Sequence, residues 1–121
     1  MNQVVLIGRL TKDPEIRTTT SQIPVATFTL AIDRPFKDAS GNKQTDFIPC
    51  VAWRQTGEAI AKYVTKGQRL AVVGSMQVRS WDKDGQKHSV TEVIVDQFDF
   101  IERADRAPSQ NAATDALPYE L

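Results

Sequence analysis

The chain has 121 residues, of which 40% are hydrophobic and 25% charged. That is the size and balance of one globular domain, and it excludes fibrous and low-complexity classes. Its 15 basic residues match its 15 acidic ones, so the strongly basic signature of many nucleic-acid binders is absent. Setting aside residues 104–121, with Arg106 against Asp105, Asp115 and Glu120, leaves only about +2. Apolar runs such as Val4–Ile7 are far too short to span a bilayer. The first residues lack a basic n-region and a long apolar stretch, so no signal peptide is expected. Cys50 is the single cysteine, which rules out an internal disulfide and fits a reducing compartment. The expected location is the cytoplasm.

The first predicted strand is Val4–Leu10, a β-branched-rich and mostly buried run that Gly8 allows to bend. Residues 11–22 are polar, with Asp13-Pro14 and the run Thr18–Ser21, and read as a loop. Ile23–Asp33 is the second strand, with Phe28, Leu30 and Ile32 on one side and Thr27 and Thr29 on the other. Residues 37–43 form a hairpin tip rich in Gly, Asn and Asp. Asp46–Trp53 is the third strand, and Pro49 within it calls for an edge, a bulge or an outward N–H. The period then changes: Ala59, Ile60, Tyr63 and Val64 fall at helical spacing, Thr56 is placed to cap the N-terminus, and Gly67 marks the stop. Leu70–Arg79 is the fourth strand, Gly74 suiting a bend, and residues 82–87 are a second hairpin tip. Ser89–Phe100 is the fifth strand. Three strands, one short helix and two strands make the OB-fold order, an all-β five-stranded barrel with its helix between strands three and four. The domain is predicted over residues 1–103, and residues 104–121 read as a flexible tail.

Four large aromatics stand out. Phe36 lies just past the second strand, Phe47 and Trp53 on the third, and Trp81 beside the second hairpin tip. Phe47 and Trp53 are an even number of residues apart and so share a face of their strand. Basic residues interleave: Arg34 and Lys37 near Phe36, Arg54 beside Trp53, Arg79 and Lys83 beside Trp81. Bases stack on aromatic planes with about 1–3 kcal/mol each, while cations track phosphates. The competing reading is core packing. It is as good for Phe47 and Trp53 on periodicity alone, and weaker for Phe36 and Trp81, which sit in polar hairpin arms. Phe28, Phe98, Phe100 and Tyr63 read as core or interface. An isolated basic residue is most often solvated surface.

Catalytic alternatives find little support. One histidine, His88, and one cysteine, Cys50, cannot make a usual zinc site. Asp13 and Glu15 flank a proline in a polar loop, where solvation explains them. Neither GxxxxGK[ST] nor GxGxxG occurs. No enzyme activity, metal or cofactor is expected.

The segments VVLIGRLTKDPEIR at 4–17, PVATFTLAIDRPFKDASG at 24–41, TDFIPCVAWR at 45–54, YVTKGQRLAVVGSM at 63–76, VRSWDKDGQKHSVTEVIV at 78–95 and FDFIE at 98–102 resemble bacterial single-stranded DNA-binding proteins of the Gram-positive and phage-borne type. The resemblance covers about residues 2–103. It implies that Phe36, Phe47, Trp53 and Trp81 are stacking platforms, and that Arg54 and Arg79 lie near the bound strand. It also implies a homotetramer, with Asn2, Val4, Leu6 and Ile48 at interfaces. Pro49 departs from the family's usual polar or basic residue. The family's acidic C-terminal tip, which closes on Leu-Pro-Phe, is echoed only thinly by Asp115, Leu117, Pro118 and Tyr119, with two residues following. Weakened recruitment of replication and repair partners through the tail is therefore expected.

The resulting expectation is sequence-independent binding and protection of single-stranded DNA, in replication, recombination, repair or DNA uptake, with no membrane partner. The alternative is an OB-fold protein-interaction module of a replication or primosome complex. Zero net charge leans toward the alternative, and four aromatics beside basic residues lean against it.

Overall fold

A computed structural model describes residues 1–101 of the chain. The elements are β1 (Val4–Leu10), β2 (Glu15–Thr18), β3 (Pro24–Lys37), β4 (Lys43–Trp53), α1 (Arg54–Tyr63), β5 (Arg69–Lys83) and β6 (Gln86–Phe100). Strand order is β1-β5-β6-β4-β3-β2, and β1 also pairs with β3 at Arg9↔Ala31 and Leu10↔Leu30. That second pairing closes five strands into a barrel, with β2 added outside on β3. The helix lies between β4 and β5, the position the OB-fold order requires.

The short β2 was expected to be loop. Its four residues pair with β3 from Glu15↔Thr27 to Thr18↔Pro24, yet all four are exposed. A strand with no buried face shows no hydrophobic alternation, so its sequence reads as polar loop. Thr19 closes the connection to β3: its hydroxyl accepts from the Ile23 N–H at 3.2 Å, and its carbonyl from the Gln22 N–H at 2.8 Å.

Period-two alternation fills the barrel. On β3, Ala26, Phe28 and Leu30 are buried; on β4, Cys50 and Ala52 point inward and Ile48 packs against the same cluster. Ile60 and Val64, four apart on and just past α1, plug the interior with Leu70, Val72, Val93 and Val95. Near the other end of β6, Phe98 and Phe100 meet edge to face at 5.9 Å and pack on this core. The inward positions of β6 are thus odd at first and even afterwards. The switch occurs where Val73 pairs with Gln97 but Gly74 with Val95, a bulge that leaves Asp96 as the extra residue. Gly74 is required there, because a Cβ would lie 1.9 Å from the Ile94 carbonyl oxygen.

The helix ends differ from expectation. Trp53 occupies the N-cap position without a side-chain cap bond, and Thr56 lies inside the helix. The C-cap is Val64, whose N–H donates to Ile60 O at 3.0 Å. Gly67 comes later, in the turn to β5, where its N–H donates to Leu10 O at 2.9 Å. Tyr63 is exposed rather than core, with the Lys62 ammonium 5.2 Å from its ring centroid.

Two hairpins extend beyond the barrel, because β3–β4 and β5–β6 run further than their hydrophobic stretches. Asp38 orders the first tip, its Oδ1 accepting from the N–H groups of Ser40 and Asn42 at 2.9 and 2.8 Å. The second tip is a two-residue turn, Asp84-Gly85, with φ of 53° and 79°. Positive φ at both central residues is the type I′ geometry, which Asp-Gly suits. β4 and β6 pair in parallel at Cys50↔Val93 and Val51↔Ile94. Each begins directly after its hairpin tip, so both tips leave the same end of the barrel. Pro49 lies just before the β6 ladder begins at Cys50, so one side of β4 is open at that point, as a strand proline needs.

Candidate nucleic-acid interface

All four aromatics singled out in the sequence are exposed: Phe36 79%, Phe47 62%, Trp53 42% and Trp81 42%. The alternation on β4 explains two of them. Even-numbered Ile48, Cys50 and Ala52 face the core, which turns Phe47 and Trp53 outward. Phe36 lies on the arm of β3 within the irregular stretch between Asp33 and Lys37. Trp81 lies on the arm of β5, opposite His88.

These rings form a track rather than a pocket. Six residues of strand separate Phe47 from Trp53, about 20 Å at the usual rise. Open depressions sit at both ends of the β3–β4 ribbon. One, of about 590 Å³, is lined by Arg34, Pro35, Phe36, Lys37, Asp38 and Gln44. The other, of about 640 Å³, is lined by Pro24, Trp53, Arg54, Gln55, Thr56 and Glu58. A smaller cavity of about 200 Å³ lies apart from these rings, between Lys12, Asp13, Glu15, Phe28 and Glu92. Its carboxylates make it a poor seat for an anionic polymer. Separated aromatic surfaces on one barrel suit an extended ligand with repeating planar groups.

The predicted cations fall into two groups. Arg34 is engaged: its Nε and Nη2 donate to Asp46 Oδ2 and Oδ1, both at 2.9 Å. That fork raises the Arg34 pKa and holds the Asp46 carboxyl below the usual carboxylate range. Arg79 is engaged as well, its Nε donating to Glu92 Oε1 at 2.8 Å and its Nη2 to Oε2 at 3.4 Å. Its guanidinium carbon lies 5.2 Å from the Trp81 ring centroid, within cation–π range. By contrast Lys37, Lys83 and Arg54 are exposed, and their side chains make no hydrogen bond or ion pair among the described residues. Arg54 has φ of 57°, a left-handed backbone that costs a non-glycine residue energy and recurs at functional sites.

His88 was missed. Its ring stacks on Trp81 with centroids 5.7 Å apart and planes at 22°. The signal was present in the sequence, since a tight turn centred on Asp84-Gly85 sets 81 opposite 88.

The residues expected at subunit interfaces sit as follows. Val4, Leu6 and Ile48 are half-buried and pack against the barrel core. The exposed residues of β1 are Val5, Ile7 and Arg9; the two apolar ones made the strand read as mostly buried. Among the described residues the backbone of Val4–Gly8 pairs only with β5, so its other edge has no strand partner there. Asn2 prolongs the β5 ladder, its amide donating to Met76 O at 2.8 Å and accepting from Met76 N at 2.9 Å. Asp115, Leu117, Pro118 and Tyr119 lie outside the described residues.

Cys50 is buried, and burial pushes its thiol pKa up to about 12, so it is no nucleophile at neutral pH. Among the described residues no group of three His, Cys, Asp or Glu side chains is placed to hold a metal. No helix among them is long and apolar enough to cross a membrane.

The model of the single-strand binding protein family matches residues 1–101. The chain belongs to that family. Single-stranded DNA-binding protein 4 of Streptococcus agalactiae is 46% identical over 119 residues, covering 98% of this chain and 86% of the relative. The Caldanaerobacter subterraneus single-stranded DNA-binding protein is 50% identical over 103 residues, covering 84% of this chain and 69% of that one. Among solved structures, the Plasmodium falciparum SSB complex with ssDNA aligns with a TM-score of 0.76 at 30% identity, covering 84% of this chain and 96% of that one. The family's proteins are binding proteins rather than enzymes.

Proposed function

We propose that this protein binds single-stranded DNA without sequence preference, stacking bases on Phe36, Phe47, Trp53 and Trp81. The observation that carries the reading is the outward exposure of all four rings on a barrel of the single-strand binding family. Large exposed apolar rings call for a partner. Stacking accepts any base, as described for single-strand binding barrels generally. Lys37, Lys83 and Arg54 neutralise phosphates; Arg34 and Arg79, tied to carboxylates, contribute less charge than their number suggests. Such a protein protects exposed strands during replication, recombination, repair or DNA uptake, in the cytoplasm.

Self-association completes the reading. The open edge of β1 and the exposed Val5, Ile7, Met76 and Val78 favour a homo-oligomer, a tetramer by family analogy. Asp115, Leu117, Pro118 and Tyr119 serve as a contact for other proteins.

The test is a titration of dT oligomers against tryptophan fluorescence at two salt concentrations, with the mass measured in solution. Trp53 and Trp81 should be quenched, and affinity should fall as salt rises, because counterions are released on binding. An unquenched protein at low salt would defeat the proposal.

A further inference from the structure

Trp81 does not stand alone on its arm. His88 pairs directly opposite it, with stacked rings, and Arg79 lies against the indole on the same face. The His88 imidazole is exposed and makes no hydrogen bond or ion pair among the described residues. We propose that His88 is a further nucleic-acid contact. It backs the Trp81 indole where a base would stack and, when protonated, sets a cation beside the bound strand. The inference rests on the single-stranded DNA reading above and adds a residue to that surface.

The charges around it favour this role. On the same face of the arm, β5 carries Arg79 and Lys83 and β6 carries Glu92; Asp82 and Lys87 face the other way, and Asp84 lies in the turn. No other strand pairs with residues 77–92, among those described. At the barrel end of the face, Lys12, Asp13 and Glu15 share a cavity with Glu92. Arg79 and Glu92 largely cancel through their 2.8 Å contact. Lys83 is then the uncompensated cation beside Trp81, and a proton on His88 adds a second. Imidazole is the side chain that changes charge between about pH 5 and 8, and this chain has one. A stacked cross-strand pair also stiffens a hairpin, but that role does not couple binding of a polyanion to a proton.

The experiment measures binding of labelled dT oligomers, whose bases do not titrate in this range, to the full chain at about pH 5.5 and about pH 8. The wild type should bind about two- to five-fold tighter at the lower pH, the worth of one exposed charge contact. Its salt slope should steepen there by about 0.7, one counterion on a single strand. His88→Phe keeps two stacked rings and therefore the hairpin; it should match the wild type at the higher pH and show no tightening. His88→Ala should bind more weakly at both. Tightening that persists in His88→Phe belongs to another group, such as the terminal amine, and overturns the proposal. A flat wild-type response, or His88→Ala equal to the wild type throughout, overturns it as well while leaving the DNA-binding reading standing. A wild type that binds dT at neither pH removes both.

Discussion

Glu92 offers a sharp test of how this surface handles charge. Its carboxylate is buried to 8% exposure and holds the Arg79 guanidinium at 2.8 Å, whereas the Arg79 side chain remains 62% exposed. The cation is thus within reach of a phosphate but already compensated. Glu92→Gln keeps an oxygen acceptor for Arg79 and removes the opposing charge. Because the arginine half of the pair is solvated, the stability lost should stay below about 1 kcal/mol. The released charge should act as one new phosphate contact. Affinity for dT oligomers should rise about two- to five-fold at about 50 mM salt. The dependence of log K on log salt should steepen by about 0.7, so the gain should shrink about 2.6-fold on going to about 200 mM. Fluorescence titration across that range reads both quantities. A lower affinity with an unchanged slope would refute the reasoning; Glu92 would then be holding Arg79 in its working position against Trp81 rather than silencing it.

Trp53→Ala and Trp81→Ala should each weaken dT binding by about 1–3 kcal/mol, the worth of one stacked base, with the fold intact by circular dichroism. Gly74→Ala forces a Cβ to within 1.9 Å of the Ile94 carbonyl oxygen, and should cost about 2 kcal/mol or more in urea unfolding, because backbone rather than a pliable side chain must move. Asp46 is held low by the hydrogen bond from Arg34, and Asp33 by the hydrogen bond from Thr45 and then by Lys43. Folded values below the ordinary 3.8 mean that both stabilise the fold fully above that value, and that this support is lost as pH falls through the lower folded values. Carboxyl-carbon NMR titration should find both midpoints below the ordinary range, and Asp46→Asn should flatten the acid limb of the stability curve.

The barrel was legible because its buried strands carry strict alternation and its helix carries Ile60 and Val64 four apart. What escaped was structure without a hydrophobic signature. β2 has four exposed residues, and the outer ends of β3, β5 and β6 are ladders of exposed side chains whose pairing is set by their turns. The outward face of β1 misled in the opposite direction, since Val5 and Ile7 are apolar on the solvent side. The aromatic surface was readable in part. Phe36 and Trp81 stood out by their polar neighbours, whereas Phe47 and Trp53 needed the burial of Cys50 and Ala52 to fix which way β4 faces. The carboxylate partners of Arg34 and Arg79 lie 12 and 13 residues away, across strand pairs whose register no local pattern states.

The Asp84-Gly85 turn has a consequence for how this arm can change. Every residue of β5 from Gly74 to Lys83 is matched one to one with β6, and neighbouring side chains point to opposite faces. Lengthening or trimming both strands by two residues moves Trp81 along the arm but keeps it on the same face. A change of one residue on each strand sends it to the other. Reach is therefore adjustable only in steps of about 7 Å, and length variants that keep the surface working should differ by multiples of four residues between Met76 and Val93.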